Sequence, residues 1–436
     1  MRSVLTRAPL PVWLPIVAMA VLFVVALRRH SRDWLHPGRV IIGFYLLMSL
    51  TSLAFDRDLA PTFSMNVSWW NMAGYTTLLC VTLLPALLIV KPDADHVIHH
   101  GLVRPMLLWS APLVAFSLFF LAPFALHSLG QGFAATRYAL NVLRIQPLPG
   151  GFLTTVSVAV ASYYIIFALL FFAALVRKMG KLPAIVALIG LLLPIVHAAV
   201  FGARDGAIWL VHALLFGLWV TTGVLTLRMR RAAVRTIVVV GMVGLLYISL
   251  ATRDRFAESG GGYASGTVGY FGSQPYVFSE TVDRLTTFYG PANRFPLVAA
   301  LVGGSATERY EPFQWSFGTF LTDFYSVAGW PSAVGLSLVL TLLTLGAMHV
   351  CRKRSALAYT LVVAAYAQFM VQGVFYFRLG NRAGNLYHVS LGILILVVLV
   401  MFPDHVLKRA TSGAKRLRRA PVSRALREAA GGHAQP

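Results

Sequence analysis

The sequence predicts an all-α polytopic membrane protein with about eleven transmembrane helices. Hydrophobic residues make up 58% of the 436 positions, and the mean hydropathy is +0.72. Charged residues make up 12%, whereas soluble domains carry about 25%. The apolar residues form long blocks, without the alternation over about ten residues that marks a membrane β-barrel. These features exclude a soluble globular enzyme, a disordered chain and a fibrous repeat.

Eleven segments are apolar and long enough to cross the hydrocarbon layer, and none contains Lys, Arg, Asp or Glu. They are 11–27, 40–55, 72–90, 106–127, 152–176, 182–200, 207–227, 236–251, 332–350, 355–377 and 386–402. Arg2 and Arg7 precede the first segment, as in a signal peptide. Pro11, Pro15 and the lack of a small-residue cleavage site favour a retained anchor instead.

The charge distribution orients the chain. If the tail after the last span is inside, alternation places 24 of the 37 Lys and Arg residues inside, but only 5 of the 15 acidic residues. The positive-inside rule then puts the N-terminus outside and the C-terminus in the cytoplasm. Most of the net charge of +22 is therefore a topology signal that also attracts anionic lipid. A nucleic-acid role for the basic run 415–419 is the weaker alternative, and no nucleic-acid partner is expected.

The chain divides into four parts. Residues 1–251 hold eight spans with short loops, 252–331 form one large outer loop, 332–402 hold three spans, and 403–436 are a basic tail. The outer loop is rich in aromatic residues, which build either a packed surface layer or sugar platform, or an ordinary interfacial belt. Its segment 316–328 has helical spacing of aromatics and is expected to lie at the membrane surface or to re-enter it.

Arginines on the outer side run against the positive-inside trend. A guanidinium donates two parallel hydrogen bonds to a bidentate anion, so arginines at head-group depth suit a lipid-linked diphosphate. The alternative is pairing with neighbouring carboxylates. Arg204 and Arg378 are the strongest candidates because they lie in short loops held between spans. The candidate ligands are Arg204, Arg253, Arg255, Arg284, Arg294, Arg309, Arg378 and Arg382, with Tyr270 and Tyr325 as candidate sugar contacts.

Several outer residues are candidate proton acceptors or donors. They are Asp323, Asp205, Glu280, Asp283 and His197. A histidine hydrogen-bonded inside the bundle is the alternative for His197. Gln368 and Gln372 share a helical face and are expected to bond between helices, with sugar contact second. On the inner side, the acidic and histidine residues of 93–100 are expected to form a solvated loop rather than a metal site.

Three segments carry a family resemblance. The first is the turn Phe201-Gly-Ala-Arg204-Asp-Gly206 between two mid-chain spans, where the family usually has a second glycine in place of Ala203. The second is the large outer loop with Tyr270-Phe271-Gly-Ser-Gln-Pro275-Tyr276. The third is Thr319-Phe-Leu-Thr-Asp323-Phe-Tyr325-Ser-Val-Ala-Gly329-Trp-Pro331, which leads into the next span. With these segments, the chain resembles the bacterial O-antigen and oligosaccharide repeat-unit polymerases.

The resemblance implies a fold similar to the class-C glycosyltransferases and a location in the bacterial inner membrane, with the N-terminus and large loop periplasmic. It implies transfer of a growing polymer from one undecaprenyl-pyrophosphate carrier to the sugar of a new lipid-linked unit, as in lipopolysaccharide synthesis. Arg204 would hold the pyrophosphate, and neither a metal nor another cofactor is expected. A chain-length regulator protein would be a further partner.

Two other functions stay open. An O-antigen ligase shares the predicted architecture. A flippase or exporter of lipid-linked sugars is the alternative from a different class, but transporters usually show internal repeats or charged residues inside spans. Neither feature is visible in this sequence.

Overall fold

The computed structural model describes residues 9–402, except 32, 56–66, 142, 144, 257–267, 270, 303–318 and 376–377. All regular secondary structure among these residues is helical, which confirms the predicted all-α class. The α-helices are α1 (Trp13–Arg29), α2 (Pro37–Thr51), α3 (Trp69–Leu88), α4 (Ala94–Ile98), α5 (Val103–Gln131), α6 (Phe133–Asn141), α7 (Phe152–Ala161), α8 (Tyr164–Val176), α9 (Lys181–Val200), α10 (Gly206–Thr221), α11 (Leu227–Phe256), α12 (Gln274–Arg284), α13 (Gly290–Arg294), α14 (Pro296–Leu301), α15 (Phe320–Ala328), α16 (Trp330–Arg354), α17 (Ala356–Gln372) and α18 (Arg382–Met401).

Most predicted spans correspond to single long helices. Within the described residues, eight helices are long and apolar enough to cross a membrane, or nine if a bent pair counts as one span. The two remaining predicted spans correspond to α10 and α17, which are apolar but shorter. Helix ends follow the charge pattern: Arg28 and Arg29 lie in the last turn of α1, where cations interact favourably with the helix dipole. The chain is thus a multi-pass membrane protein.

The predicted continuous span 152–176 is broken. Helices α7 and α8 meet at Ser162 and Tyr163 with a bend of 52°. The amide of Gln368, from α17, donates to the Ser162 carbonyl at 2.7 Å. In a regular α-helix the backbone N–H of Ile166 would donate to this Ser162 carbonyl. Here it donates to the Tyr163 carbonyl at 2.9 Å. A side chain that takes over a backbone acceptor in this way is an established cause of helix kinks.

One end of the bundle collects the loops that the charge pattern places inside, and we call it the basic end. Trp219 Nε1 donates to Asp33 Oδ2 at 2.6 Å, which joins the end of α10 to the loop after α1. The Arg177 guanidinium donates to the Ile98 carbonyl at 3.3 Å, which joins the end of α8 to α4. Arg352, Lys353 and Arg354 lie in the last turn of α16.

The opposite end holds the described residues of the long segment 252–331, and we call it the loop end. Helix α12 packs on α3 there, and the Tyr276 hydroxyl donates to the Ser52 carbonyl at 3.3 Å. Helix α17 runs through the centre of the bundle and is buried along almost its whole length. Its apolar composition on all faces explains this position. The Tyr45 hydroxyl donates to the Met370 carbonyl at 2.8 Å and so ties α2 to this central helix.

Candidate functional site

The predicted arginine turn at the loop end is tightly constrained. Gly202 has φ = 55°, in the left-handed region that favours glycine. A Cβ added to Gly206 would lie 2.8 Å from a carbonyl oxygen of α9, so only glycine fits. The Arg204 guanidinium donates to the Thr252 hydroxyl on α11. Asp205 stands immediately before α10. Two consecutive charged residues are therefore held in place at the start of a helix.

A small polar pocket adjoins this turn at the break between α7 and α8. Ser162, Tyr164, His197, Asp205 and Trp209 contribute to its walls, and it has room for about one water molecule. Trp209 Nε1 donates to Asp205 Oδ2 at 2.9 Å, across one turn of α10. The His197 ring packs against Phe201, with ring centroids 5.1 Å apart. The structure thus brings together Asp205 and His197, two of the predicted proton acceptors.

A buried polar network supports the break. Gln368 donates to the Ser162 carbonyl and accepts from the Tyr387 hydroxyl at 2.9 Å. Gln372 donates to the Tyr164 hydroxyl at 3.2 Å. The prediction that both glutamines bond between helices is confirmed. Satisfied buried networks of this kind rigidify their surroundings, so the geometry of the pocket depends on α17.

The long segment contributes a second group of charges. The Arg294 guanidinium forms an ion pair with the Asp323 carboxylate, and their side chains are 12% and 11% exposed. Arg294 also lies 5.9 Å from the centre of the Tyr289 ring. The backbone N–H of Tyr289 donates to the Ser326 carbonyl at 3.1 Å, which fixes α13 beside α15. Arg294 is thus engaged with a carboxylate, but with one that is distant in sequence rather than a neighbouring one.

A second acid–base pair lies on α12. The Arg284 guanidinium pairs with Glu280 one turn earlier rather than with the adjacent Asp283. Glu280 is buried, whereas the Arg284 side chain is 54% exposed. The Asn71 amide on α3 donates to Asp283 Oδ1 at 2.8 Å and to the Ser279 hydroxyl at 3.1 Å. Asn71 therefore anchors α12 on α3.

Tyr325 and Arg382 are not members of these pairs. Tyr325 is buried and packs against the rings of Phe278 and Trp330, so it belongs to an aromatic cluster rather than to an open sugar platform. Burial, with a further contribution from the negative charge of Asp283, raises the pKa of Tyr325. Arg382 is exposed at the start of α18. Tyr270, Arg309 and the side chains of Arg253, Arg255 and Arg378 lie outside the described residues.

The two groups of charges are linked through the end of α17. The backbone N–H of Phe320 donates to the Gly373 carbonyl at 2.9 Å, beside α15. The preceding residue, Gln372, contacts Tyr164 in the pocket wall. Phe375 packs against Trp209, with ring centroids 6.2 Å apart. Apart from Arg382, the predicted site residues that the structure describes thus form two neighbouring groups at one end of the bundle.

Several site residues were not predicted. The polar run 162–164 inside an apolar span was a readable signal for the break. Asn71, beside the predicted start of a span, was another. Thr252 and Trp209 gave no such signal, because their roles depend on which helices meet.

At the basic end, two of the three histidines of 93–100 pair locally, whereas His100 Nε2 lies 3.3 Å from the Phe402 carbonyl. His96 Nδ1 lies 2.6 Å from Asp93 Oδ2, and His99 Nδ1 lies 3.0 Å from Asp95 Oδ1. Over the part of the chain that the structure describes, no three His, Cys, Asp or Glu residues are grouped so that they could hold a metal ion.

Comparisons with protein family models, with curated proteins and with solved structures find no match to this chain.

Proposed function

We propose that the protein is a glycosyltransferase of the bacterial inner membrane. It would polymerise undecaprenyl-pyrophosphate-linked oligosaccharide units at the periplasmic face, into O-antigen or a similar surface polysaccharide. The observation that carries the proposal is the constrained turn of Arg204 and Asp205 at the loop end, beside a polar pocket and opposite the basic end. It supplies an anion-binding cation and a proton acceptor at adjacent positions.

The chemistry needs only these two kinds of group. A sugar hydroxyl of the acceptor unit attacks the anomeric carbon of the donor, and the bond to the lipid diphosphate breaks. Negative charge develops on the leaving diphosphate, where a fixed guanidinium is most effective. Removing one preorganised donor of this kind typically slows a reaction by about 100- to 1000-fold. A nearby carboxylate or imidazole takes the proton of the attacking hydroxyl.

The direct experiment uses the purified protein in detergent with undecaprenyl-pyrophosphate-linked repeat units extracted from the host. Chain growth, seen as a ladder of lengthened glycans, is the expected result. Because detergent leaves no second compartment, growth also excludes a purely transporting protein. Absence of growth by a folded, monodisperse protein would overturn the proposal.

Deletion in the host separates polymerase from ligase. Loss of a polymerase should leave single-unit surface glycan and abolish long chains. Loss of a ligase should instead leave polymer on the lipid carrier and none on the outer-membrane core. Persistence of long, attached chains would exclude both enzymes.

One observation favours transport as the second candidate. Transporters often bind their substrates where membrane helices are discontinuous. The break between α7 and α8, with a pocket at its bend, has this form. Translocation of a fluorescent lipid-linked sugar in proteoliposomes, without chain growth, would support transport over polymerisation.

A further inference from the structure

The pocket at the helix break is too small for a sugar ring. It has room for about one water molecule, which is also the space that one hydroxyl group needs. The Trp209 and Tyr164 side chains in its wall are 2% and 1% exposed. Their ring faces are therefore packed against protein and cannot serve as stacking platforms. The ligand that fits is a single hydroxyl that projects from a larger molecule outside.

The polar groups of the wall suit a hydroxyl. Trp209 Nε1 holds Asp205 Oδ2 at 2.9 Å and leaves Oδ1 to accept another hydrogen bond. His197 lies in the same wall. The apolar remainder of the wall, Val158, Ala161 and Pro194, excludes further water.

Asp205 is also the best placed of the four candidate carboxylates. Asp323 and Glu280 are ion-paired with arginines, so accepting a proton there would break a pair. Asp283 is exposed and bonds to the Asn71 amide. Asp205 instead bonds to a neutral indole, beside a cavity.

We propose that this pocket binds the reacting hydroxyl of the acceptor sugar, with Asp205 as the general base. The inference rests on the proposed glycosyl transfer and extends it by assigning the acceptor subsite. Asp205 takes the proton of the acceptor hydroxyl while the oxygen of that hydroxyl bonds to the anomeric carbon of the donor. The bond from that carbon to the diphosphate oxygen breaks, and the lipid diphosphate leaves with the electron pair. The proton then passes from Asp205 to solvent.

Arg204, beside Asp205, is placed to bind the leaving diphosphate while Asp205 acts as the base. Arg204 bonds to Thr252 on α11, whereas Asp205 bonds to Trp209 on its own helix. The turn thereby presents a cation for the leaving group and a base for the nucleophile from consecutive residues. Gln368 is a positioning residue, because it bonds to the carbonyl of Ser162, which belongs to the pocket wall.

The test is Asp205→Asn, assayed with host-extracted undecaprenyl-pyrophosphate-linked units. Asparagine keeps an oxygen for the Trp209 indole but cannot take the proton. We expect transfer to slow by about 100- to 10,000-fold, while binding of undecaprenyl pyrophosphate alone stays at the wild-type level. The matched control is Asp95→Asn at the basic end, where the side chain is 72% exposed, and it should transfer normally.

The outcomes separate the two proposals. If the wild-type protein lengthens no chains, the proposed function fails. If it does, and Asp205→Asn lengthens chains at the wild-type rate, the acceptor subsite is overturned and the function stands. Should Asp205→Asn fail to accumulate, Asp205→Glu replaces it. The extra methylene overfills a water-sized pocket, so wild-type transfer by that variant would also overturn the inference.

Discussion

Replacing Arg204 with lysine keeps the positive charge but removes the planar fork. In the structure one nitrogen of the guanidinium is already engaged by the Thr252 hydroxyl. A guanidinium has five N–H donors and can bind this hydroxyl and a diphosphate at the same time. A lysine ammonium has its three donors on one nitrogen. The variant should therefore lose at least one charge-assisted hydrogen bond to the leaving group.

The size of the effect follows from that loss. A hydrogen bond to a charged group contributes about 1.5–3 kcal/mol. If the bond acts in the transition state, transfer should slow by about 10- to 150-fold. The assay is the initial rate of chain growth in detergent, with glycan length read from the same reactions.

A matched variant controls for charge and membrane insertion. Arg228→Lys makes the same exchange at the exposed start of α11, at the basic end, whereas Thr252 lies near the other end of that helix. It should leave rate and chain length unchanged. A wild-type rate and chain length for Arg204→Lys would remove Arg204 from the diphosphate site.

Three further predictions concern stability, measured by thermal unfolding in detergent. Gly206→Ala should destabilise the protein by about 1–3 kcal/mol because the added Cβ would lie 2.8 Å from a carbonyl of α9. The control Gly241→Ala, whose added Cβ has nothing within 4 Å, should not destabilise it. Equal unfolding midpoints for the two variants would contradict this packing. Burial lowers the pKa of His36 to about 4, so the unfolded chain binds the proton more tightly than the folded one. The free energy of unfolding should therefore fall as the pH drops from about 6.5 towards 4, and His36→Asn should reduce this dependence. An unfolding midpoint that is independent of pH over this range would count against the prediction. Arg294→Ala should destabilise the protein by about 3–5 kcal/mol because Asp323 would be buried without its partner. Adding Asp323→Ala should recover part of this loss. Strictly additive losses in the two single variants and the double variant would show that the pair is not coupled.

The sequence was sufficient to predict the helix bundle but not the places where its helices are irregular. Apolar segments without charge must form helices in lipid, since each backbone polar group needs an internal partner. The apolar segments therefore predicted the helical spans, and the distribution of Lys and Arg predicted that the basic loops cluster at one end. The polar run 162–164 was a signal for a break in span 152–176, but its cause is Gln368, which lies 206 residues away along the chain.

The candidate site shows the same limit. The turn containing Arg204 was predicted from its position in a short loop between two spans, and its glycines meet the local backbone constraint there. The pairing of Arg294 with Asp323 depends instead on how α13 packs on α15, which composition does not encode. Sequence reasoning could therefore name the charged residues of the long loop, but not which of them neutralise each other.

If Asp205 is the base of the proposed transfer, the size of the cavity beside it would lower the fidelity of that reaction. Space that admits one sugar hydroxyl admits one solvent molecule equally well. When no acceptor is docked, the same base would activate water, and the donor would be hydrolysed, releasing a free glycan and wasting its carrier. A productive enzyme must therefore seat the acceptor before the donor, or shield the cavity until it arrives.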